Sequence, residues 1–107
     1  VITNTENMGW VKDALKELAE NGQCQIRPQG GSMRGRIESG QLVTIKTINP
    51  EEIHLEDAVF VKWKGNYLLH IVKEIKDDQV LIGNNVGKLN GWIPLKDVIG
   101  KVTKVED

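Results

Sequence analysis

Apolar and polar positions along this 107-residue chain follow two successive rhythms. Trp10, Val11, Ala14, Leu15 and Leu18 recur at helical spacing, while Lys12, Asp13, Lys16, Glu17 and Glu20 take the other side. The spacing predicts one amphipathic helix over residues 9–21, stopped by Asn21-Gly22 as a C-terminal cap. Residues 1–8 are polar and are expected to be loose. From Gln23 onward the rhythm shortens to β-rich runs parted by turn residues. Strands are predicted at 23–27, 42–48, 58–64, 67–75, 79–82 and 98–105.

The clearest local element is a hairpin around Gly65-Asn66. A two-residue loop with glycine in the first central place suits a type II′ turn. Counting outward from it, Lys64 opposes Tyr67, Trp63 opposes Leu68, Val61 opposes His70 and Val59 opposes Val72. His70 then shares a sheet face with four apolar side chains and is expected to be partly desolvated. Asp77-Asp78 makes the next turn, and Asn49-Pro50-Glu51 and Asn90-Gly91 punctuate the rest. With no repeat, low-complexity tract or linker, the whole chain, 1–107, reads as one domain: a loose start, a helix, and a β body over 23–105.

Composition narrows the function classes. With 14 Lys and Arg against 15 Asp and Glu, the formal net charge is -1. Neither disorder nor bulk attraction to nucleic acid is implied, and aromatics are not interleaved with basic residues. No apolar run approaches the roughly 20 residues of a membrane helix, so no membrane segment is expected within the chain. Cys24 is the single cysteine. It forms no internal disulfide and fits a reducing, cytoplasmic setting, although the start at Val1 leaves an upstream anchor open.

Two residues stand out as candidate chemistry. Ser32 sits after Gly30-Gly31, where a glycine-freed turn presents a hydroxyl beside backbone amides that could hold an oxyanion. Most Gly-Gly-Ser turns are only turns, so the hydroxyl needs a base. His70, desolvated on its strand face, would be neutral near pH 7 and able to accept a proton. From spacing alone a structural histidine is the commoner case. His54, among Glu51, Glu52, Glu56 and Asp57, reads as a solvated loop residue. One Cys and two His without paired spacing make no zinc site, and the glycine-rich turn lacks a phosphate-loop ending, so no metal or cofactor is implied. Arg27, Arg34 and Arg36 form a basic rim that could grip a carboxylate, a phosphate or a carbonyl.

Taken in order, GGSMRGRIESGQLV, LEDAVFVKW, YLLHIVKEI, DDQVLIGNN and WIPLKDVIGKV resemble the successive boxes of the type I signal peptidase and LexA-repressor superfamily of serine peptidases. The resemblance runs from about Ile26 to Val102. It implies a mainly β fold, a coiled sheet or partly open barrel preceded by the helix. It assigns the nucleophile to Ser32, followed by the matching Met33, and the general base to His70, which falls on the family's lysine position as in the histidine-bearing branches. Gly31, Ser32 and Met33 would form the oxyanion and substrate-binding turn.

The chain departs from the pattern at three places. Gly35 replaces a proline, Asn84 replaces an aspartate in the Gly-Asp-Asn box, and 86–89 offer no carboxylate to orient the histidine. The nearby acids that could reach the candidate base are Asp57, Asp77 and Asp78. The resemblance therefore implies a Ser32-His70 dyad cutting a peptide or protein substrate. The alternative is a non-catalytic descendant that binds a protein or peptide in the same groove. No Ala-Gly pair precedes Ser32, so self-cleavage is not expected.

Overall fold

The helical spacing is realised in a buried stripe. The computed structural model describes residues 8–107, beginning with helix α1 (Met8–Asn21), on which Val11, Ala14 and Leu18 are buried. The helix closes at the expected cap, where the Gly22 amide donates to the Leu18 carbonyl at 3.0 Å. Residues 1–7 of the segment expected to be loose lie outside the described residues.

Seven strands follow: β1 (Gln23–Ile26), β2 (Leu42–Lys46), β3 (Ala58–Trp63), β4 (Asn66–Lys76), β5 (Gln79–Gly83), β6 (Leu89–Pro94) and β7 (Val98–Glu106). They form one antiparallel sheet in the order β1-β2-β7-β3-β4-β5-β6. The fold is mainly β with one N-terminal helix, and the sheet stays open rather than closing into a barrel.

The middle of the sheet is covered on both faces. Ala58 and Phe60 of β3, with Leu69 and Ile71 of β4, pack into one core with Ala14, Leu18, Met33 and Ile37. Val59 and Val61, with Leu68 and Val72, join Val80, Ile82 and Ile93 in a second core on the opposite side. Strand side chains alternate between faces, so burial of both faces requires a continuous apolar run. That is why β3 reads Ala-Val-Phe-Val.

The β3–β4 hairpin corrects the sequence-based turn. Trp63 pairs with Asn66, and the two loop residues are Lys64 and Gly65, with φ of 48° and 81°. Positive φ at both central positions is the type I′ geometry, which matches the right-handed twist of the flanking strands and takes glycine in the second place. Asn66 is therefore a strand residue. Every cross-strand partner moves by two positions, and His70 opposes Val59 instead of Val61. A shift of two keeps each side chain on its face, so the grouping of His70 with Val59, Val61, Leu68 and Val72 survives.

A second correction concerns Asn90-Gly91, expected to punctuate the chain as a turn. Both residues lie inside β6. Gly83 pairs with Leu89 and Ile82 pairs with Gly91, leaving Asn90 as an extra residue on the β6 side. Bulges and turns both draw on Asn and Gly, because both need backbone outside the regular ladder.

Candidate active site

The turn bearing Ser32 hangs from its apolar neighbours. Met33 and Ile37 are fully buried in the first core. The Met33 carbonyl accepts from the amides of Arg36 and Ile37, at 2.9 and 2.8 Å, and the Gly31 carbonyl accepts from Arg34. These bonds wind 31–37 into a tight helical turn. The amides of Gly31, Ser32 and Met33 are not among its backbone donors.

The connection between β5 and β6 clamps that turn from the side. The Asn85 amide donates to the Ser32 carbonyl at 2.8 Å, and Asn85 Nδ2 donates to the Arg34 carbonyl at 2.7 Å. Asn84 shapes the same connection, its Oδ1 accepting from the amides of Val86 and Lys88 at 2.9 Å each. That task needs only an acceptor oxygen, which an amide supplies as well as a carboxylate.

Gly35 has a local reason to be glycine. Its φ is +95°, its amide donates to Glu38 Oε2 at 2.8 Å, and a Cβ there would stand 2.9 Å from Asn85 Nδ2. A proline could meet none of these conditions, since its φ is fixed near -65° and it lacks the N–H. Glycine at this position thus follows from the way the turn packs under Asn85.

Ser32 and His70 line one cleft of about 280 Å³, together with Trp63, Asn66, Leu68, Asn84, Lys88 and Asn90. On β4 the alternation of Asn66, Leu68 and His70 points all three to the cleft side. His70 is buried. Its Nδ1 lies against the carbonyl oxygen of Leu69. A carbonyl can only accept, so Nδ1 carries the proton and Nε2 is left as the free base. Burial pushes the His70 pKa below the ordinary 6.5. The Leu69 carbonyl and the Asn90 side chain oppose that shift, and the charge of Lys88 adds to it.

Among the described residues, two buried side-chain polar atoms lack a hydrogen-bond partner, Ser32 Oγ and Asn90 Oδ1. Both belong to residues lining the cleft of His70. Leaving a buried polar group unsatisfied costs about 1–3 kcal/mol, so native proteins keep few of them. Ser32 Oγ and His70 therefore share a site without a hydrogen bond between them. Catalytic hydrogen bonds are often long in unliganded enzymes and tighten on substrate.

None of Asp57, Asp77 and Asp78, the acids weighed as partners for His70, lines the cleft. Asp57 faces Lys101 at 3.1 Å and accepts from the His54 amide at 2.7 Å, while Asp77 and Asp78 form the β4–β5 turn. His54 is exposed, as expected of a loop histidine. Cys24 is buried and unpaired, and burial followed by the charge of Glu17 pushes its thiol up to about 11, which leaves it inert. Among the described residues no helix is long and apolar enough to cross a membrane. Asn90 was not legible as a site residue, because its pairing with Gly91 carries the composition of a turn. Compared with models of protein families and with curated proteins, the chain matches none.

Proposed function

We propose that this protein is a serine peptidase of the signal-peptidase and LexA type, cutting a peptide bond with Ser32 as nucleophile and His70 as general base. One observation carries the reading: a buried, unpartnered serine hydroxyl in the same cleft as a buried, neutral histidine. Ser32 Oγ attacks the scissile carbonyl carbon and its proton passes to Nε2 of His70. In this reading the turn amides of Gly31, Ser32 and Met33 hold the developing oxyanion. Collapse of the tetrahedral intermediate breaks the C–N bond, and His70 returns the proton to the leaving amine. Water then attacks the acyl-serine, its proton passing through His70 back to Ser32 Oγ.

A fluorophosphonate probe tests this directly. The expected result is a single adduct on Ser32, absent in Ser32→Ala and formed at least about 10²-fold more slowly in His70→Ala, the scale of general-base assistance. Absence of an adduct on the folded wild-type protein would overturn the proposal. The cleft would then fit the second reading, a non-catalytic peptide-binding descendant, which the missing carboxylate and the open Ser32-His70 contact favour.

A further inference from the structure

The β5–β6 ladder breaks its register at the cleft. Asn90 is the residue left out between the Gly83–Leu89 and Ile82–Gly91 pairs, and such a bulge re-aims the side chain of the extra residue. Here the side chain lines the cleft with His70 and carries the second unpartnered buried oxygen. Among the described residues, no carboxylate lines the cleft to take the place of an orienting acid.

We infer that Asn90 is a positioning residue for His70, its Oδ1 accepting a hydrogen bond from the imidazole once the ring is protonated. The inference rests on the reading of His70 as the base that receives the Ser32 proton. An amide oxygen only accepts. It gains a ring partner when a ring nitrogen bears a proton, and so favours the imidazolium, the direction in which Asn90 acts on His70. In the resting cleft Oδ1 is unpartnered. In a Ser-His-Asp triad the acid also fixes the tautomer of the histidine. The Leu69 carbonyl does that here, so a neutral amide suffices for the remaining task, steadying the ring as it charges against the burial and the Lys88 charge that oppose protonation.

The test is an NMR titration of the imidazole of His70 in the wild-type protein, Asn90→Asp and Asn90→Leu. His54, outside the cleft and the second of the two histidines, serves as internal reference. Asn90→Asp is expected to raise the His70 midpoint by about one pH unit, as an opposite charge within a few ångströms does, and Asn90→Leu to lower it. A His70 midpoint identical in wild type and in folded Asn90→Asp overturns the inference, whatever the leucine variant does. Fluorophosphonate labelling of the same samples separates the two claims. An adduct on Ser32 with an unmoved midpoint removes Asn90 and keeps the peptidase. Midpoints that shift as expected without any adduct keep the Asn90–His70 coupling and remove the peptidase.

Discussion

At the scale of single residues, His70 links the site to stability. Its folded pKa lies below the ordinary 6.5 because the ring is buried, so the unfolded chain binds more protons than the folded one at mildly acidic pH. Stability must then rise with pH across the window from the lowered folded value to about 6.5, and be lost as pH falls through it. The expected outcome is that urea midpoints of the wild-type protein climb as pH rises toward about 6.5 more steeply than those of His70→Leu. Equal slopes would mean that the ring is not desolvated. The turn at Ser32 was legible from the glycines before it and the burial of His70 from its apolar strand neighbours, whereas their meeting in one cleft was not. Nor was Asn90, because a bulge is a property of a pairing between strands and leaves only turn-like composition in one of them.

At the scale of elements, the site depends on a clamp between two connections, one of which, the Ser32 turn, is itself anchored in the first core by Met33 and Ile37. The turn 31–37 is tied to the β5–β6 connection through both groups of Asn85, the amide on Ser32 and the side chain on Arg34. Asn85→Ala removes only the second bond. It is expected to cost about 1 kcal/mol in stability, as for one hydrogen bond, and to slow labelling of Ser32 while leaving the far-UV spectrum of the sheet unchanged. Denaturation and probe kinetics on the same sample check both parts, and labelling at the wild-type rate would show that the clamp does not position the serine. Such contacts join positions 51 residues apart, which no local pattern announces. The central strands β3 and β4 were the most legible, because their buried runs are nearly contiguous and apolar. The short strand β6, with Leu89 and Trp92 exposed and Asn90-Gly91 within it, offers no such run and was missed.

At the scale of the molecule, the order of strands is not the order of the chain. The last strand, β7, lies between β2 and β3, pairing with both. It is the element that joins the β1-β2 pair to the β3–β6 meander. Gly100 sits at the crossing of these ladders, where a Cβ would come within 2.7 Å of Ile45 Cγ2 and 2.8 Å of the Lys46 carbonyl oxygen, so the strands meet closely. Removing residues 98–107 would leave β2 and β3 each with an unpaired edge and expose the core residues Val43, Ile45, Val59 and Phe60 along the seam. The β3–β6 meander keeps its hairpins but loses the helix-side half of its packing, and open apolar edges of this kind favour association. The shortened chain is therefore expected to lose cooperative thermal unfolding and to aggregate, whereas deletion of Asp107 alone should leave the transition intact. A sharp, monomeric transition in the 1–97 chain would show instead that the meander folds without the strand that ties it to the rest of the sheet.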